Sequence, residues 1–141
     1  MNLGDQSDKW EKIAYDKNLV NNALELAERD IKTANDVFNN HDFDWTFSIA
    51  YNAMLQAGRA LMFSEGYRPK GEYKHVSVIE FVKIKFGTSF AERILFMFNK
   101  IRKKRHIVVY EQVDLISKDE AENALKVAKD FVEKVKNLLR K

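Results

Sequence analysis

Apolar residues recur along this chain at intervals of three and four, the spacing that gathers them on one face of an α-helix. From about Asn18 to Asn40 the stripe is Leu19, Ala23, Leu26, Ala27, Ile31, Ala34, Val37 and Phe38. His41-Asp42-Phe43-Asp44 closes this helix and offers an aspartate cap to the next. The second helix, from about Trp45 to Ser64, has Ala50, Ala53, Met54, Ala57, Ala60 and Leu61, small or apolar almost all round. That pattern suits a central helix touched by several others.

Gly66-Tyr67-Arg68-Pro69-Lys70-Gly71 is the strongest loop signal and holds the only proline. A shorter helix is expected from His75 to Phe86, closed by a glycine cap at Gly87. Thr88 or Ser89 then caps a fourth helix containing Ile94, Leu95, Met97, Phe98, Ile101, Val108 and Val109. Ile107 to Tyr110 is β-branched, but a lone strand has nothing to pair with, so the helix continues. Ser117-Lys118-Asp119-Glu120 reads as a capping box opening a last helix with Ala121, Ala124, Leu125, Ala128, Phe131, Val132, Val135 and Leu138. The pattern predicts an all-α fold: an antiparallel up-and-down bundle of four to five helices without a sheet. It spans residues 1–141 as a single domain, with 1–17 an irregular lead and the second helix the most buried.

Composition narrows the chemistry. With 45% apolar residues and ten Phe in 141 residues, the chain can bury a core and is not disordered. The absence of cysteine removes disulfides, thiolate zinc sites and cysteine nucleophiles. His41, His75 and His106 are not spaced as local metal ligands, so neither metal nor cofactor is expected. No apolar run approaches the ~18 residues of a membrane span, and MNLGDQSDKW lacks a signal-peptide core. A cytoplasmic protein without membrane contact is the expectation. Glycine-rich phosphate loops, paired helical histidines and Gly-x-Ser-x-Gly elbows do not occur.

Net charge is only +3, but Lys100 to Arg105 reads KIRKKR, five cations in six residues. Such a run is either a solvated helix end or a polyanion contact. Position on the helix adds detail. Ile94, Ile101 and Val108 lie seven apart and mark a buried stripe, while the adjoining row runs Leu95, Phe98, Arg102, Arg105, Val109. Two arginines thus extend an apolar row, and Arg102, His106 and Tyr110 follow at intervals of four. A cation at the edge of a buried surface needs an anionic partner. That partner is either internal, from Asp30, Glu28, Asp36 or Asp44, or a bound phosphate, for which arginine offers bidentate donors. Physics alone leans to internal pairing, because helix-face charges are usually structural. On the second helix, Ser48, Asn52, Gln56 and Arg59 share one face, either the lining of a polar pocket against the fourth helix or the wet side of a buried helix. His75 reads as a helix-start hydrogen-bonding residue and His41 as a solvated loop residue.

The order and spacing of several segments resemble the HEPN domain family. They are Ala27-Glu28-Arg29-Asp30, Asp44-Trp45-Thr46, the run from Tyr51 through Ala53, Ala57, Arg59, Ala60 and Leu61, then Gly66-Tyr67-Arg68-Pro69 and His75-Val76. The resemblance covers about residues 18 to 138. It implies a four- or five-helix bundle concerned with nucleotide or RNA binding, dimerising about its fourth helix and working beside a small nucleotidyltransferase as toxin and antitoxin. Many members are metal-independent ribonucleases carrying arginine, four to six residues, then histidine. Here Arg105 is followed at that position by Tyr110, and His106 is adjacent to Arg105, so the chain is similar to the branch with tyrosine in place of the histidine. Histidine is a base near neutral pH, whereas tyrosine, with an ordinary pKa of about 10, is a poor one.

The reading is therefore a nucleotide- or RNA-binding domain. Arg102 and Arg105 would hold phosphate, with Ser48, Asn52, Gln56 and Arg59 as further binding residues. Its alternatives are a weak ribonuclease using Arg105, His106 and Tyr110, or a non-catalytic module that meets a partner protein.

Overall fold

A computed structural model describes residues 8–111 and 113–140. Residues 1–7 of the expected lead lie outside the described residues. Five helices follow in order: α1 Lys17–Asn39, α2 Phe43–Ser64, α3 Lys74–Phe86, α4 Glu92–Tyr110 and α5 Lys118–Leu139. They form the all-α bundle that the periodicity predicts, with α2 packed against α1, α3, α4 and α5.

The helix starts show how the sequence sets its boundaries. Asp16 caps α1 through Asn18 N, and Asp42 caps α2 through Trp45 N at 3.1 Å. Ser117 and Glu120 form the reciprocal capping box of α5. At α4 the expected Thr88 or Ser89 cap is not used, and Ala91 stands at the N-cap without a side-chain bond. The preceding turn instead buries Phe90 against Phe131, with ring centroids 4.9 Å apart, so the helix starts only after that anchor. Gly87 does close α3, but in the right-handed region rather than the left-handed one.

One departure from the expected pattern lies inside the lead. Strand β1, Trp10–Lys12, pairs antiparallel with β2, Tyr67–Pro69, within the loop that carries the proline. Trp10 explains the pairing: it is 1% exposed and meets the edge of Phe81 at 5.3 Å. A three-residue strand has no intrinsic stability, so burial of this indole holds it in place.

The core runs along α2, where Tyr51, Ala53, Met54, Ala57, Ala60, Leu61 and Met62 are fully buried. Gly58 permits a close crossing: a Cβ there would lie 2.5 Å from Val78 Cγ1 of α3. On α4 the buried positions are Leu95, Phe98, Ile101 and Val108, while Ile94 is only partly buried and Val109 is 40% exposed. The buried stripe is therefore turned toward the row that contains the arginines. On α1 the expected stripe is buried at Ala23, Ala27 and Ala34, and only at its start does Val20 replace the exposed Leu19.

Candidate functional site

α3 and α4 face each other across a cleft of about 430 Å³. One wall is the end of the Gly71–Tyr73 loop with the first turn of α3, Lys74 to Val76. The other is α4, through Arg102, Arg105, His106 and Tyr110. Four residues expected to act together thus share one cavity.

The basic run does not act as a block, because helical rotation divides it. Lys104 pairs with Glu120 of α5, and Lys103 points to solvent. Arg102 and Arg105 turn toward the cleft, half-buried. Neither meets a carboxylate among the described residues. Arg102 Nε donates to Asn99 Oδ1 at 3.1 Å. The Arg105 guanidinium lies over the Tyr51 ring, 5.6 Å from its centroid, and its Nε is buried without a hydrogen-bond acceptor.

The acidic residues expected as internal partners are engaged elsewhere or apart. Asp30 pairs with Arg29, and Glu28 with Lys136. Asp44 accepts the backbone N–H groups of Asp114 at 2.6 Å and Ile116 at 2.9 Å, tying the loop after α4 to the start of α2. Asp36 forms no ion pair among the described residues. The internal-pairing alternative for the arginine row is not what the structure contains.

Two further residues belong to the site. His75, in the first turn of α3, lines the cleft, and its Nδ1 lies 3.1 Å from the hydroxyl of Tyr51. Tyr51 is wholly buried in α2. Burial raises its phenol pKa, against the opposing pull of Arg102, Arg105 and Arg59, so it stays protonated. Burial, reinforced by Arg105, Arg59 and Arg102, lowers that of His75, which favours neutral imidazole. His75 stands at the start of its helix and hydrogen-bonds there, but its partner is on another helix. The signal for Tyr51 was its place in an alanine-rich central helix, where a buried hydroxyl requires a partner.

The remaining expected binding residues sit apart. Ser48, Asn52, Gln56 and Arg59 do not line this cleft. Ser48 is buried, with its hydroxyl unpartnered among the described residues, while Asn52, Gln56 and Arg59 are partly exposed. Arg59 reaches the site only through its field on Tyr51 and His75. His106 and Tyr110 stack loosely at 4.9 Å, and Tyr110 is 68% exposed at the cleft mouth. Glu72 is an exposed rim residue that pairs with neither arginine. No group of three or more metal-ligating side chains occurs among the described residues, nor any helix long and apolar enough to cross a membrane.

Fold and cleft together define a helical bundle that presents two guanidinium groups without a carboxylate partner among the described residues, beside an imidazole whose pKa burial lowers. The HEPN domain model matches residues 20–138, and the chain belongs to that family. Comparison with curated proteins gives no match.

Proposed function

We propose that the α3–α4 cleft binds a phosphate-bearing ligand, a nucleotide or single-stranded RNA. The observation that carries this reading is that Arg102 and Arg105 face one cavity without an ionic partner. A guanidinium withdrawn from water without a counter-charge is costly, and a phosphate would supply both charge and acceptors. The free N–H groups in the first turn of α3 would add a favourable dipole. Tyr73 and Tyr110, 70% and 68% exposed on the two walls, are suited to stacking on bases. The HEPN family's association with nucleotides and RNA supports the same reading. Titrating a labelled oligouridylate into the wild-type protein and the two arginine-to-alanine variants tests it.

The finer assignment follows the family's tyrosine branch, with Arg105 and Tyr110 at the diagnostic spacing. In this reading two copies associate about α4, and a small nucleotidyltransferase is the partner in a toxin–antitoxin pair. The outer face of α4 carries Phe96, 64% exposed, with Ile107, 37% exposed, apolar side chains suited to self-association.

A second reading, residual metal-independent RNA cleavage using Arg105, His106 and Tyr110, is favoured by one observation: His75 and His106 stand on opposite walls of the cleft. Incubation with RNA in chelator tests it, since any protein-dependent cleavage there needs no metal.

A further inference from the structure

We propose that His75 contacts the ligand in the α3–α4 cleft, presenting a neutral imidazole with its proton on Nε2, and that the buried hydroxyl of Tyr51 holds it in that state. The contact rests on the cleft being a phosphate site; the tautomer does not.

Tyr51 is the buried partner of this imidazole. Its side chain is 0% exposed, and a buried phenol leaves neither its proton nor its oxygen unsatisfied. Among the described residues its only hydrogen-bond partner is His75 Nδ1, at 3.1 Å. If Nδ1 carried the imidazole proton, it would donate to the phenol oxygen and leave the phenol proton buried with no acceptor. The arrangement that satisfies both groups has Tyr51 donating and Nδ1 accepting. The imidazole proton is then on Nε2, the nitrogen not engaged by Tyr51.

Charges on two packed helices reinforce this state, while Glu72 on the cleft rim is exposed. Arg59 on α2 and Arg102 and Arg105 on α4 act on the imidazole and oppose a positive charge. A neutral imidazole in this cationic nest donates a hydrogen bond without adding repulsion. An anion between the α3 turn and the α4 arginines would accept from Nε2–H and from the guanidinium groups together. Tyr51 does not line the cleft, so its part is positioning: its ring sits under the Arg105 guanidinium while its hydroxyl orients His75. One buried side chain thereby registers a group on α4 against a group on α3.

The test uses the full chain with histidine nitrogens labelled with ¹⁵N. Long-range proton–nitrogen correlation spectra give the tautomer of each imidazole, first free and then with uridine monophosphate or a short oligouridylate. The expected result is the Nε2–H tautomer for His75 in the free protein and movement of its signals with both probes. Tyr51→Phe should produce mixed tautomers and weaken oligouridylate binding about fivefold, the scale of one neutral hydrogen bond. His75→Ala should weaken it roughly tenfold or more, with His75→Gln, which restores a donor near Nε2, recovering part of the loss. An Nδ1–H tautomer in the free wild-type protein overturns the positioning by Tyr51 without recourse to any variant. Binding that collapses in Arg102→Ala and Arg105→Ala but is unchanged in His75→Ala overturns the contact while leaving the phosphate site standing. Binding indifferent to the arginines and to His75 alike removes the cleft reading and the contact together.

Discussion

The Arg105 guanidinium rests over the ring of Tyr51, 5.6 Å from its centroid, with its Nε buried and lacking an acceptor. A cation held over an aromatic face gains roughly 0.5–2 kcal/mol, the larger value applying when it is desolvated. That contact places Arg105 on the inner side of the cleft. It leaves the rest of the guanidinium for a ligand, which an ion pair with a carboxylate would not.

The stability of the protein should depend on pH through His75 and Tyr51. A histidine whose pKa is lowered on folding binds more protons when unfolded, so stability is complete above the unfolded value of 6.5 and falls as pH drops through it toward the lower folded value. Tyr51 acts at the other end. Its raised pKa means that stability falls as pH climbs past the ordinary phenol value of 10.0. Urea unfolding of wild type and His75→Gln across pH 5–8 should show the first dependence in the wild type and a flatter profile in the variant. Identical profiles would contradict a half-buried imidazole held neutral in the folded state.

Trp10→Ala should destabilise the protein by about 3–5 kcal/mol, the usual consequence of deleting a large buried aromatic. The indole is almost wholly buried against Phe81, and the β1–β2 pairing depends on it. Thermal or urea denaturation checks the value; a loss within about 0.5 kcal/mol, typical of a surface site, would show that the strand is not anchored.

Asp44→Ala should cost about 1–3 kcal/mol, because the carboxylate accepts two backbone N–H groups from the loop between α4 and α5. Hydrogen exchange at Asp114 and Ile116 should accelerate in the same variant. Unchanged exchange at both amides would rule out this tie.

Much of this architecture was legible in the chain. Period-3.6 stripes, the Asp42 cap and the Ser117–Glu120 box locate the helices because each is a local signal. The β1–β2 pair was not, since it joins residues more than fifty positions apart and depends on one buried tryptophan. The rotation of α4 that buries Leu95 and Phe98 is likewise set by α2 and α5, not by α4's own pattern. At the site, the arginine row was visible as cations continuing an apolar row. Its lack of carboxylate partners was not, because that depends on where Asp44, Glu28 and Asp30 lie after folding. The Tyr51–His75 contact spans two helices, so no spacing within either one reveals it.

Self-association about α4 should be sensitive to its outer apolar face. Light scattering at tens of micromolar is expected to give a dimer for the wild type and a monomer for Phe96→Glu combined with Ile107→Glu, since both side chains are exposed in the single chain. A wild-type monomer would count against the arrangement.

The arginine row bears most directly on phosphate binding in the cleft, through affinity and melting temperature measured on the same variants. Arg102→Ala and Arg105→Ala should each weaken oligouridylate binding by about 1–3 kcal/mol, the scale of a charge-assisted hydrogen bond. Each should also reduce the steepness with which affinity falls as salt rises, because a phosphate contact releases counterions. Neither arginine makes an ion pair with an acidic side chain among the described residues, so Arg102→Ala should melt close to wild type and Arg105→Ala should lose no more than the roughly 0.5–2 kcal/mol of its contact with the Tyr51 ring. Lowered melting temperature with unchanged affinity would contradict the cleft as a phosphate site.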